Sequence, residues 1–366
     1  MIDMKKQIKL FDPIIDSSEK KAILKVLNSK FWASGSGTGN VLKFENNFKK
    51  YIKSNSCIAV NSGTAALNLA LSLFNIKNKE VILPSLSFVS TAHCIIENGG
   101  IPIFVDIESD TLCIDPEKIK SSITKNTTAI IPVHFGGMPC NLDEIKKISK
   151  SFNLNIIEDA AHAVGTTWKN SEKIGKHGSA VCFSFHPVKN LAMPTGGLIS
   201  INHKNHKKFS QLLFSRRWCG ITNRKGTDYD VKELGWNYYM NEFSAAVGLV
   251  QLKKLEKLTK IRKSIAKKYS KKIDLKNKMP YDDNCSYHLY WILVNNRKKF
   301  RKNLLDLGIE TGTHYKPIHL MKMYNDSTSL PITERVGKQI VTIPIHPNLK
   351  NSEIEKIINS VNKFAN

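Results

Sequence analysis

The sequence predicts an α/β protein, with a mostly parallel central sheet flanked by helices and a smaller C-terminal α+β domain. Three observations lead there. Short apolar runs alternate with helical segments between about residues 57 and 201, the pattern of strands joined by covering helices. That alternation stops at a long basic helix spanning about 241–269, after which apolar runs at 287–294, 300–307 and 354–364 suggest a different, smaller unit. At 366 residues the chain can bury a substantial core and divide in two. The expected division is a large domain over 1–250, including N-terminal helices, and a small domain over 251–366.

Each element follows from local pattern. Residues 16–30 read as a helix with Ile23, Leu24 and Leu27 on its apolar face, and 41–51 as a second amphipathic helix. Between them lies FWASGSGTGN, 31–40, a Gly/Ser loop that lacks the GK[ST] ending and the preceding strand of a phosphate loop. Strands are expected at 57–60, 81–83, 103–106, 129–133, 155–158, 180–185 and 198–201, with helices at 65–74, about 88–97 and 142–151. Ligands of such sheets bind at the carboxyl ends of the strands.

Composition narrows the class. Hydrophobic residues are 41% and charged residues 23%, ordinary for a globular enzyme. The first residues, MIDMKKQIKLFDPIID, carry no apolar run of signal-peptide length, and no segment approaches the roughly 20 apolar residues of a membrane span, so a cytoplasmic protein without membrane contact is expected. Seven cysteines, at 57, 94, 113, 140, 182, 219 and 285, form no CxxC pair. Most read as small core residues rather than a metal site or disulfide framework. The formal charge of +24 comes from dispersed lysines. The densest basic stretch, 253–278, has helical spacing with Leu249, Leu252, Leu255 and Leu258 on the apolar side. It reads as a solvated helix face, not a nucleic-acid surface. The excess charge suits a polyanionic substrate.

The chemistry concentrates in 156–197, IIEDAAHAVGTTWKNSEKIGKHGSAVCFSFHPVKNLAMPTGG. An apolar strand ends in Glu158-Asp159, the next strand is 180–185, and a turn then presents Lys189. An acid at one strand end and a lysine past the next fit a pyridoxal phosphate (PLP) site. The lysine amine condenses with the cofactor aldehyde and the acid pairs with the ring nitrogen. Ser184 can bind phosphate. Ser62-Gly63-Thr64-Ala65 lies where a strand turns into a helix, either a phosphate site or a capped helix start. Phe88 could stack on the ring or belong to the core. Asp159 could serve a protonated ring nitrogen or cap the turn at Ala160-Ala161-His162. His162 could contact the ring or be structural.

Several linked motifs occur in order: NSGTAAL (61–67), PVHFGGMPCNLDEI (132–145), IIEDAAHAVGTTW (156–168), FSFHPVKN (183–190), LGWNYYMNEFSAAVGLVQL (234–252) and THYKPIHL (313–320). Through them nearly the whole chain resembles the DegT/DnrJ/EryC1/StrS family of sugar aminotransferases, members of PLP fold type I. The resemblance implies that Lys189 bonds the cofactor and Asp159 holds the pyridinium nitrogen. It puts His162 near the ring oxygen and Phe88 on the ring, with Thr64, Ala65 and Ser184 on the phosphate beside Ser62 and Gly63. Asn237 would join the phosphate site from a second subunit. His186, His314 and Tyr315 would face the substrate, the last two across the subunit interface. A homodimer with composite sites follows, using PLP and its aminated form, pyridoxamine phosphate. The implied reaction moves an amino group from an amino acid, glutamate foremost, to a nucleotide-linked keto-sugar. Other PLP chemistry, such as sugar dehydration, and a non-catalytic PLP or sugar sensor are the alternatives. Lys189 argues against the dehydratases, which carry histidine there. The chain departs from the family pattern at Ala192-Met193-Pro194-Thr195-Gly196-Gly197 (usually TTGEGG), at Tyr239 in place of the arginine of NYRM, and at 241–246 (usually SELQAA).

Overall fold

The computed structural model describes residues 7–33 and 35–365. Residues 1–6, Ser34 of the Gly/Ser loop and Asn366 lie outside the described residues. A seven-stranded sheet forms the centre, built from β1 (Ser56–Val60), β2 (Glu80–Pro84), β3 (Ile101–Val105), β4 (Thr127–Ile130), β5 (Asn155–Asp159), β8 (Ala180–Ser184) and β9 (Gly197–Ile201). The short ribbon β6 (Thr167–Trp168) and β7 (Glu172–Lys173) interrupts the series. The order is β1-β9-β8-β5-β4-β2-β3. All pairings from β8 to β3 are parallel, while β9 runs antiparallel to both its neighbours. The sheet is therefore mixed, the fold type I architecture.

Alternation explains the layers. Ala59, Ile82, Ile130, Ile156, Val181, Phe183 and Leu198 face one apolar cluster, with α2 (Gly39–Ile52), α6 (Leu142–Phe152) and α8 (Glu242–Lys272). Their strand neighbours Ile58, Val60, Val81, Leu83, Ala129, Ile157, Ala180, Cys182 and Ile199 face the other, with α3 (Gly63–Leu71), α4 (Ser90–Glu97) and α7 (His206–Arg216). Burial on both faces is why these strands read as continuous apolar runs. α5 (Pro116–Ser121) adds Ile119 to the first cluster.

The C-terminal part pairs β12 (Tyr290–Leu293) with β13 (Ile340–Ile343) antiparallel, beside α9 (Arg297–Asp306), α10 (Pro331–Gln339) and α11 (Asn351–Phe364). Helix α8 runs unbroken through position 250, and the segment before α1 (Ser17–Ser29) bridges to this part at Ile8 and Ile309. An exposed ribbon, β10 (Ile221–Lys225) and β11 (Asp228–Val231), precedes α8.

Some local expectations are corrected. Helix α1 has Asp16 and Glu19 as a capping box, but Ile23, Leu24 and Leu27 are exposed and Glu19 and Val26 are buried. The inward face is fixed instead by Glu19, which accepts from Lys254 and Gln251 of α8. The expected strand 129–133 is four residues, Thr127–Ile130. The cysteines are buried except Cys219, which is exposed. In α8, Leu255 and Leu258 are buried and Leu249 and Leu252 partly so, as the spacing implies. Among the described residues no helix is long and apolar enough to cross a membrane.

The Gly/Ser loop and edge strand β1 are held by two carboxylates. Glu242 accepts the amides of Asn40 (2.7 Å) and Val41 (3.3 Å), capping α2. Gly39 is required there, because its φ is +69° and a Cβ would strike that carboxylate. Glu45 accepts the Ala59 amide (2.8 Å) and pairs with Arg217 at 2.6 Å, while Arg217 donates to the Ala59 carbonyl (2.9 Å). A buried ion pair thus satisfies both backbone groups of Ala59 on the unpaired side of an edge strand. Replacing Arg217 with Met would leave Glu45 buried without its cation. The expected loss is about 3–5 kcal/mol, read as a lowered denaturant midpoint. In Glu45→Met/Arg217→Met much of that loss should return.

Candidate active site

The carboxyl ends of β5 and β8, the start of α3 and the segment at His314–Tyr315 enclose a cavity of about 350 Å³. Ser62, Gly63, Thr64, Phe88, Asp159, His162, Ser184, His186, Lys189, His314 and Tyr315 all line it. A larger, more open depression between Glu108 and Trp168 is lined mainly by surface charges, of which Lys169 and Asp143 already pair.

Ser62 caps α3 by accepting the Ala65 amide at 3.1 Å. That amide is engaged by the cap, and Ala65, expected to contact the phosphate, is not among the residues lining the cavity. Gly63 and Thr64 are left at the open end of the helix, opposite the Ser184 hydroxyl. A Cβ on Gly63 would come within 2.7 Å of Ser184 Cβ, and one on Gly197 would strike the Ser62 carbonyl. These glycines let the turn and strand ends close into an anion-sized cradle.

Asp159 is buried, 5% exposed, at the last position of β5. Its Oδ2 accepts from Thr91 Oγ1 (2.8 Å) and its Oδ1 from the Ala161 amide (3.1 Å). Thr91 spends its only proton on Asp159, so the Ser87 hydroxyl donates to Thr91 (2.9 Å). Burial raises the Asp159 pKa, and the two hydrogen bonds and the charge of Lys189 oppose that rise. No helix follows at 160–166, so the contact to Ala161 is a local turn rather than a helix cap.

Lys189 enters after β8, with its amide donating to the His186 carbonyl (2.8 Å). Burial lowers its pKa to about 8, against the opposing pull of Asp159. Its Nζ lies 3.4 Å from His288 Nε2. His162 accepts the Gly136 amide at Nδ1 (3.2 Å), so the neutral ring carries its proton on Nε2 and donates it to Tyr315 Oη (3.1 Å). Burial, with Lys189 and His314 nearby, holds His162 well below its usual pKa. Phe88 is 55% exposed, not core, and its ring stands 6.0 Å from that of Tyr315.

His314 and Tyr315, expected across a subunit interface, line this same chain's cavity. Asn237, expected to serve a second subunit's site, is exposed and outside this chain's cavity, its carbonyl accepting from Asn61 (3.3 Å). Sequence reading missed Thr91, Ser87 and His288. Thr91 had a signal, in the first turn of the helix that follows Phe88. His288, a lone histidine in an apolar run, had none. At the departures, Met193 is buried and Thr195 bonds the Asn61 carbonyl.

This cavity lies at the carboxyl edge of a fold type I sheet. The sequence model of the DegT/DnrJ/EryC1/StrS aminotransferase family matches residues 13–362, and the chain belongs to that family. It is 34% identical to the uncharacterized protein MJ1066 of Methanocaldococcus jannaschii over 97% of each chain. Helicobacter pylori PseC, described as an aminotransferase involved in the biosynthesis of pseudoaminic acid, is similar at 29% identity and a TM-score of 0.91, covering 98% of this chain and 99% of that one. Spr1654 of Streptococcus pneumoniae, in its PLP form, is similar at 26% identity and a TM-score of 0.90 over 98% of each chain, and a PMP form is also solved.

If burial sets the basicity of Lys189, its amine should titrate near pH 8. Competitive amine labelling of the apoprotein, read on the Lys189 peptide, should show reactivity rising through that pH. Exposed lysines should continue to rise past about 10.

Proposed function

We propose that the protein is a PLP-dependent aminotransferase that moves an amino group from an amino acid, L-glutamate foremost, to a nucleotide-linked keto-sugar. The carrying observation is one cavity holding a buried carboxylate, a lysine of lowered basicity and the open N-terminus of α3. Each matches one part of the cofactor. Gly63, Thr64 and Ser184 would hold the phosphate, where the glycine cradle leaves no room for a side chain. Asp159 would pair with the protonated ring nitrogen, the cation its burial lacks. Phe88 would cover the ring, and His162 would stand near the ring oxygen.

When bound, PLP supplies an aldehyde that carries the amino group and a ring that takes up the electron pair left at the donor Cα. The protein supplies the proton handling. With a pKa of about 8, Lys189 is available both as amine and as ammonium near neutrality. As amine it takes the proton from the donor Cα, and as ammonium it returns one, the two halves of general acid–base catalysis. His186 and His314 stand on the cavity wall, where an incoming sugar would lie. Burial holds His314 at about 4, so it meets that sugar uncharged. The +24 charge favours approach of a nucleotide diphosphate group.

The active unit in this reading is a homodimer, with Asn237 reaching the neighbour's phosphate site. Supporting it, Leu24, Leu27, Phe31 and Trp32 are exposed. Trp32 and Ala33 adjoin Phe243 and Asn241, a few residues after Asn237. Such a patch suits a two-fold contact.

Borohydride reduction of the PLP-loaded protein should fix a pyridoxyl group on Lys189, found by peptide mapping; Lys189→Ala should show none. A pyridoxyl group mapped to another lysine of the wild-type protein would refute the assignment. Asp159→Asn should keep the fold but slow the glutamate half-reaction at least about tenfold, equivalent to about 1.4 kcal/mol of barrier. Lys189→Ala and Asn237→Ala chains, each impaired alone, should regain partial activity when mixed under subunit exchange. A fully active monomer would exclude the shared site.

A further inference from the structure

We propose that His288 is a positioning residue for Lys189. Its neutral imidazole accepts a hydrogen bond from the lysine nitrogen and holds the free amine in place whenever it is not bonded to cofactor. The proposal rests on the reading of Lys189 as the reacting amine.

The geometry is specific. Among the described residues, His288 Nε2, at 3.4 Å, is the one side-chain partner within hydrogen-bonding reach of Lys189 Nζ. The imidazole is buried, 2% exposed, and lies between two rings: Phe11 stacks on it (5.6 Å between centroids, 18°), and His162 packs against it (4.5 Å, 44°). Its backbone is fastened on both sides. Leu289 donates to the Gly136 carbonyl (3.2 Å), and the Tyr287 carbonyl accepts from Arg262 (3.3 Å). Asn190, the residue after Lys189, donates to the Ser286 carbonyl (3.0 Å). The lysine and the histidine are thus tied through backbone as well as side chain.

The chemistry assigns the tautomer. An ammonium group has donors only, so Nε2 must be the acceptor and the ring proton sits on Nδ1. That Nδ1 is buried and makes no hydrogen bond, an arrangement that costs stability. A structural histidine would turn its proton to a partner; this one turns its lone pair to the lysine. A charged imidazole is disfavoured by burial and by Lys189, His162, Arg262 and His314 around it. Lys189 itself is faced by Asp159 of β5, by His162 beyond it, and by His288, His314 and Tyr315 of the C-terminal part. Of these only His288 touches Nζ, so losing it removes an acceptor that favours the ammonium form.

The test uses apoprotein, so it does not depend on cofactor chemistry. Competitive amine labelling at Lys189 is compared in wild type, His288→Phe, which keeps a stacking ring, and His288→Gln, which keeps an acceptor. The midpoint should fall by about one pH unit in the Phe variant and stay near wild type in the Gln variant. An unchanged or raised midpoint in a Phe variant with wild-type thermal unfolding would overturn the proposal, as would a Gln variant that shifts as far as Phe. Should the Phe variant not fold, histidine ¹⁵N–¹H spectra of wild type decide. A His288 proton on Nδ1 between roughly pH 6 and 8 supports the assignment, and one on Nε2 refutes it. If labelling behaves as expected but PLP never bonds Lys189, the functional reading fails while the His288–Lys189 contact stands.

Discussion

A carboxylate held away from water needs compensation, and Asp159 has little within the chain. Two hydrogen bonds, from Thr91 and Ala161, reach its oxygens, and Lys189 acts on it only through the field across the cavity. Burial of an unpaired charge is costly enough that such a group either protonates or acquires a cation. The rest of the site is arranged around that unmet demand. The cavity opens at the carboxyl edge of the sheet, the lysine approaches from the next strand, and the open helix end of α3 offers the complementary place for an anion. A cofactor that is cationic at one end and anionic at the other would satisfy both.

The sheet makes this arrangement possible. Parallel strands bring β5 and β8 to a common edge, so residues far apart in sequence arrive side by side. The antiparallel β9 returns the chain directly beside β8 and brings Gly197 against the Ser62 turn. The edge strand β1, from which that turn departs, is secured by Glu45 and Arg217. Site geometry and edge protection are therefore linked through one short strand.

Much of this was legible in the sequence because it is local. The strand-ending acid, the lysine past the next strand and the Ser-Gly-Thr helix start each follow from a few adjacent residues. What was not legible is tertiary. Thr91 and His288 act on Asp159 and Lys189 from 68 and 99 residues away, and their own neighbourhoods do not name those partners. The side of α1 that faces the core was misread because a charged residue, Glu19, is buried there by its partners on α8. That His314 and Tyr315 line this chain's own cavity was not legible either, because spacing does not distinguish one chain's cavity from a neighbour's.

The central claim is that Asp159 gains its cation from the cofactor ring. The ¹⁵N shift of ring-labelled PLP bound to the protein tests it most directly. In the wild-type protein the ring nitrogen should remain protonated across neutral pH, and in Asp159→Asn it should lose that proton. An unprotonated ring nitrogen in the wild-type protein would contradict the account.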